Sequence, residues 1–93
     1  MKALDIPAGQ GAAGKVGTRP VAVYNTGKGL TVLENICTHM KCQTQWNSAE
    51  RSWDCPCHGS RYHPEGGVLQ GPAKRPLPAL EYHLENDEIV LEE

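Results

Sequence analysis

The 93-residue chain has no phenylalanine, and aromatic residues of any kind make up only 5% of it. Its longest strongly apolar runs are no longer than Val21-Ala22-Val23-Tyr24. Nothing in the chain as given can therefore span a bilayer or serve as the apolar segment of a signal peptide. It is expected to be soluble and cytoplasmic. It also lacks a basic excess: nine Lys plus Arg stand against eleven Asp plus Glu, for a formal charge of -2. Nucleic acid is excluded as a partner on that balance, because binding to the phosphate backbone needs clustered positive charge. The length leaves no room for a second fold, so residues 1–93 are read as one domain. Hydrophobic residues at 39% and charged residues at 22% are a globular composition.

A domain this small often needs a metal or a disulfide to supplement its core. Cys37, His39, Cys42, Cys55, Cys57 and His58 all fall within 22 residues. Core cysteines do not cluster in this way.

The remaining sequence reads as short strands between Gly/Pro turns. Ala3 to Ile6 is predicted as a strand, and the stretch holding Gly9, Gly11, Gly14 and Gly17 as turn-rich. Val21 to Tyr24 and Leu30 to Ile36 form a predicted hairpin around Asn25 to Gly29. Trp46 and Ser52-Trp53-Asp54 flank a polar turn, Asn47 to Arg51, which returns the second Cys/His group toward the first. A short strand at Val68-Leu69 is followed by Gly71-Pro72, Pro76 and Pro78, a stiff loop that cannot enter a sheet interior. Leu80 to Leu84 and Glu88 to Leu91 close a hairpin at Asn86-Asp87. The fold class is all-β.

Cys37-Thr38-His39 is followed, after fifteen intervening residues, by Cys55-Pro56-Cys57-His58-Gly59-Ser60. One Cys and one His in each loop offer two thiolates and two imidazoles to a single centre. On donor chemistry alone, a structural zinc module remains an alternative. The segments Cys37 to Cys42, Cys55 to Tyr62 and Gly71 to Pro76, with the surrounding strand pattern, resemble the Rieske [2Fe-2S] family over most of the chain.

That resemblance implies a small sandwich of short antiparallel sheets with a two-loop cluster-binding subdomain at one end. The cluster loops run from about 37 to 62 and a proline loop from about 71 to 78. It implies one [2Fe-2S] cluster, with Cys37 and Cys55 on one iron and His39 and His58 on the other. Two neutral imidazoles in place of two thiolates make the centre less negative, which raises its reduction potential. The potential should fall at alkaline pH as an exposed imidazole ligand loses its second proton. Cys42 and Cys57 match the pair that is disulfide-bonded in the high-potential type, although two thiols are the ordinary alternative in a reducing compartment. Ser60 matches a hydrogen-bond donor to a cluster sulfide, and Tyr62 a donor to the first cysteine sulfur. Lys41 stands where many relatives carry Gly.

Function then reads as one-electron transfer, either by a soluble carrier or by the electron-transfer domain of an oxidoreductase, without catalysis by the domain alone. The partner is a redox protein: a flavoprotein, a cytochrome or an oxidoreductase subunit. The Asn47 to Asp54 stretch resembles the C-terminal Rieske domain of FAD-dependent oxidoreductases. The alternative is the ferredoxin component of an aromatic-ring oxygenase system, which usually lacks the second cysteine pair. Lys74 and Arg75, with Lys41 and Arg61, give the cluster end a positive tendency. The six acidic residues between Glu81 and Glu93 read as edge protection. His63 and His83 are expected to lie outside the ligand set, and Trp46 and Trp53 to pack the core.

Overall fold

The computed structural model describes residues 1–38 and 42–92. Among the described residues there are nine strands, one 3₁₀ turn and no α-helix, in three antiparallel sheets, as the all-β expectation required. β1 (Gly11–Val16), β2 (Arg19–Asn25) and β3 (Leu30–Glu34) form the first sheet in that order. β4 (Gln45–Asn47), β5 (Ser52–Asp54), β6 (Arg61–Tyr62) and β7 (Val68–Gln70) form the second. β8 (Tyr82–Glu85) and β9 (Glu88–Leu91) form a closing hairpin. Its turn residues Asn86 and Asp87 sit at φ 50° and 67°, as a tight two-residue hairpin turn demands.

β2 explains how the layers assemble. Val21, Ala22 and Val23 are all fully buried, which is possible only if both faces of the strand are covered. Side chains alternate across a strand, so Ala22 faces one way and its two neighbours the other. Ala22 joins Leu33, Cys37, Trp53, Cys55, Tyr62, Ala73 and Leu77 in one apolar cluster. Val21 and Val23 join Ile6, Val32 and Ile89 in a second. The first sheet thus lies between the cysteine-bearing loops and the closing hairpin.

Three expectations need correction. Ala3 to Ile6 is not a strand: Ala3–Asp5 is a 3₁₀ turn with Leu4 85% exposed. The Ala3 N–H donates to Asp87 O and the Leu4 N–H to the Asp87 carboxylate, both at 2.9 Å, so the β8–β9 turn takes the donors that a ladder would have used. The glycine-rich stretch is not mainly turn. It contains β1, and two of its glycines make room rather than bend the chain. A Cβ at Gly11 would lie 2.9 Å from ring atoms of Trp46 and Trp53, and one at Gly14 would lie 3.0 Å from Met1 Sδ. Gly9, at φ 79° in the turn before β1, and Gly17, at φ 63° in the β1–β2 turn, serve turns as predicted. Finally, β3 stops at Glu34 rather than Ile36, because Asn35 leaves the ladder to bond Thr44.

Among the described residues, no helix is long and apolar enough to cross a membrane.

Candidate metal centre

Two loops carry the cysteines, and each is closed at its base by a different device. The first is clamped by a buried pair, Asn35 and Thr44, both 1% exposed. The Asn35 Nδ2 donates to Thr44 O at 3.1 Å, while Thr44 N and Oγ1 donate to Asn35 Oδ1 at 2.8 and 2.6 Å. Inside the clamp, the Cys37 N–H donates to Cys42 O. The second loop leaves β5 and turns tightly: Cys55 N–H donates to Ser60 O at 2.8 Å and Gly59 N–H to Cys55 O at 3.1 Å. Pro56, Cys57, His58 and Gly59 are exposed on the outside of that turn.

An ion-pair network fixes the strand that delivers Cys55. Asp54 accepts from Ser52 Oγ at 2.7 Å, Asn47 Nδ2 at 2.8 Å and Arg61 Nε at 3.1 Å, and Arg61 also reaches Glu50 at 3.7 Å. Burial raises the Asp54 pKa, but these hydrogen bonds and the Arg61 charge outweigh it, and the carboxyl titrates below its ordinary range.

The loops are joined by the Cys42–Cys57 disulfide, with Cα atoms 6.5 Å apart. This bridge was the pairing implied by the family resemblance. Cys37 and Cys55 lie outside it, 1% and 2% exposed. The Sγ atoms of Cys42, Cys55 and Cys57 lie within 4.8 Å of one another, but two of the three are spent in the bridge. Burial, and then the adjacent Cys37 thiol, push the Cys55 thiol pKa up. The two thiols outside the bridge are therefore neighbours in a dry site, where thiolates need a cation to persist.

One hydroxyl reaches a cysteine sulfur, and a second belongs to the turn that carries Cys55. Tyr62 Oη lies 3.2 Å from Cys37 Sγ, and it accepts from the Thr38 N–H at 3.2 Å. Burial, and then the Cys37 sulfur, raise the phenol pKa, so the group keeps its proton. Ser60 Oγ accepts the Ala73 N–H at 3.0 Å, which leaves the hydroxyl proton to be donated elsewhere.

His39 and Lys41 lie outside the described residues. His63 N–H donates to Gly67 O at 2.7 Å, and His83 sits on β8 between Glu85 and Glu92. Trp53 is fully buried, with its ring centroid 4.9 Å from that of Trp46. The sequence reading missed Thr38, Asn35 and Thr44. Short polar residues flanking a cysteine loop are a faint signal at best.

The described donors, two buried cysteine sulfurs and one exposed imidazole on the adjoining turn, have the chemistry to bind a metal centre. Comparison with known proteins gives it a name. The Rieske [2Fe-2S] domain family profile matches residues 1–81. The chain belongs to the Rieske [2Fe-2S] domain family. Among curated relatives, it is 41% identical over 78 residues to YhfW of Bacillus subtilis (strain 168), whose name describes a Rieske 2Fe-2S iron-sulfur protein, covering 83% of this chain and 15% of that protein. It is 33% identical over 90 residues to the cytochrome b6-f complex iron-sulfur subunit of Chlorobaculum thiosulfatiphilum, covering 97% of this chain and 50% of that subunit. The chain thus spans half or less of these two relatives. Among solved structures, the plasma membrane Rieske protein PetC3 of Synechocystis PCC 6803 superposes with a TM-score of 0.79 at 32% identity, covering 99% of this chain and 95% of that one. The Rieske domain binds a single [2Fe-2S] cluster, and its work is one-electron transfer. A zinc module is not favoured.

Proposed function

We propose that residues 1–93 act as one Rieske domain in which Cys37 and Cys55 hold one iron and His39 and His58 the other. The observation that carries this reading is the burial of Cys37 and Cys55 side by side while His58 is exposed on the adjoining turn. A bound [2Fe-2S] cluster supplies storage of one electron, at a potential raised by its two imidazole ligands.

The chain's own residues do the rest. Buried surroundings keep water from the two cysteine sulfurs, so nearby dipoles act on them with little screening. Tyr62 holds its phenol proton at Cys37 Sγ, and Ser60 offers its hydroxyl proton toward the same site. Both donors favour added negative charge. The disulfide fixes the spacing of the two loops, so little reorganisation accompanies a change of charge. The exposed His58 ring gives a partner its point of approach.

The partner we assign is a redox protein: a flavoprotein, a cytochrome or an oxidoreductase subunit, met in the aqueous phase of the cytoplasm. A module role within a longer chain is supported by YhfW, of which the matched segment is only 15%. A cytochrome is supported by the b6-f subunit relative. The disulfide argues against an oxygenase ferredoxin.

A midpoint potential measured on the cluster-loaded domain tests this. The expected value is at or above about 0 mV, in the upper two thirds of the roughly −150 to +300 mV Rieske range. Ser60→Ala should lower it. A strongly negative potential would reassign the chain to the oxygenase ferredoxins, and a sample with no visible absorption or paramagnetic signal would end the cluster reading.

A further inference from the structure

Beside the two cysteine loops lies a cleft of about 400 Å³ lined by Thr38, Pro72, Lys74 and Arg75. No carboxylate lines it, and both cations are exposed with no ion-pair partner among the described residues. Arg61, expected to share in this positive end, does not contribute: Asp54 and Glu50 neutralise it.

The proline loop is pinned on either side of Lys74. Ala73 N–H donates to Ser60 Oγ at 3.0 Å, and Thr38 Oγ1 donates to Arg75 O at 2.8 Å. Ser60 belongs to the second cysteine loop and Thr38 follows Cys37, so both pins end on the site itself. Two cations are thereby held beside the cysteine loops on a backbone that need not be ordered on binding, which lowers the cost of association.

Charge of the opposite sign is collected elsewhere. Glu85, Asp87 and Glu92 lie on or beside β8–β9, which packs against the opposite face of the first sheet, whereas Glu88 there is neutralised by the Met1 amino group and Lys2. The proline loop packs on the cysteine side through Ala73 and Leu77. Lys74 and Arg75 thus lie across the central sheet from an acidic hairpin, although the net charge of the chain is -2.

Resting on the function proposed above, we infer that Lys74 and Arg75 form the docking surface for an acidic redox partner, a protein that presents clustered Asp and Glu carboxylates around its own redox centre. The charge separation turns the redox end toward that partner during approach, and the pinned cleft receives the carboxylates.

The test uses the cluster-loaded, reduced domain and stopped-flow oxidation by two small oxidants, anionic ferricyanide and cationic tris(phenanthroline)cobalt(III). Raising the ionic strength from about 10 to about 300 mM should slow the ferricyanide reaction and speed the cobalt one. Lys74→Glu with Arg75→Glu should slow ferricyanide about tenfold at low salt and reverse its salt dependence, with Lys74→Gln and Arg75→Gln intermediate. A decaglutamate peptide should slow ferricyanide oxidation of the wild-type domain and leave the charge-reversed variant unaffected, and decalysine should not substitute for it. Equal rates across all variants would overturn the docking assignment. So would a ferricyanide response without a decaglutamate response, since the cations would then steer small ions only. The visible and paramagnetic spectra of the same samples separate the two layers of inference. Normal spectra with insensitive rates sink the docking surface alone, whereas absent spectra sink the function on which it rests.

Discussion

Tyr62 makes three contacts with one phenol oxygen, to Cys37 Sγ, Thr38 N and Thr38 Oγ1, each at 3.2 Å. A hydrogen bond to a group that gains negative charge is stronger after the gain, so removing it should lower the reduction potential. A one-electron couple moves 59 mV for a tenfold change in equilibrium, so losing about 1 kcal/mol of differential stabilisation gives a fall of roughly 40 mV. Tyr62→Phe should show that fall in a redox titration, and an unchanged midpoint would remove Tyr62 from the tuning residues. Two features at this scale were legible through the family resemblance: the Cys42–Cys57 bridge and the approach of the Tyr62 hydroxyl to Cys37 Sγ. Thr38 was not, because its partner Arg75 lies 37 positions away. Nothing local announces that a loop will return to that hydroxyl. The Asn35–Thr44 clamp was hidden for the same reason, its partners nine apart with neither in a recognisable motif.

At the scale of elements, β1 is the instructive miss. Gly is read as a turn former, and that is right for Gly17, but at Gly11 the missing Cβ is what lets two tryptophan rings approach the strand. Which meaning a glycine carries depends on what packs on it, and that lies far off in sequence. Gly11→Ala sets two effects against each other. Reduced freedom of the unfolded chain would stabilise by about 0.4–1 kcal/mol, whereas overpacking a rigid core costs about 1–3 kcal/mol. With ring atoms at 2.9 Å and Trp53 fully buried, the steric effect wins, and calorimetry should find a lower Tm. Gly14→Ala should cost less, because the atoms it meets belong to the flexible Met1 side chain. The closing hairpin was read from its Asn-Asp turn, although its first strand runs Tyr82–Glu85 rather than Leu80 to Leu84, because the Leu80 N–H donates to Val32 O instead. Its histidine holds a pH dependence that the sequence hid. His83 sits 2.6 Å from Glu85 and 3.1 Å from Glu92. The Glu85 hydrogen bond first, and then Glu92, raise its pKa above 6.5. A raised folded-state pKa means that the contribution to stability is complete below 6.5 and is lost as pH climbs through the folded value. A proton-NMR titration should give a midpoint above 6.5, and Glu85→Gln should bring it down. A midpoint that ignores that substitution would separate His83 from its neighbour.

For the whole molecule, the decisive feature is that one sheet serves two cores. Ala22 and Leu33 face the cysteine loops while Val21, Val23 and Val32 face the closing hairpin. The second core is an ordinary small β core. The first is built partly from the loops that hold the redox site, whose described segments carry little regular structure. That half therefore leans on the Cys42–Cys57 bridge, which closes a loop with a sequence separation of 15. Such a closure contributes about 3 kcal/mol in the chain-entropy account, a large share of the roughly 5–15 kcal/mol by which small proteins are stable. Cys42→Ala with Cys57→Ala should then lower the Tm by about 12–24 °C in a domain of this size. The division into two cores predicts where the loss falls. Amide exchange should speed up first in residues 42–62 and the β4–β7 sheet, with β8 and β9 protected until global unfolding, because Ile89 packs against Val21 and Val23 rather than against anything the bridge holds. Equal loss of protection across both halves would mean that the domain opens as one unit and that the bridge stabilises the fold as a whole rather than the redox end in particular.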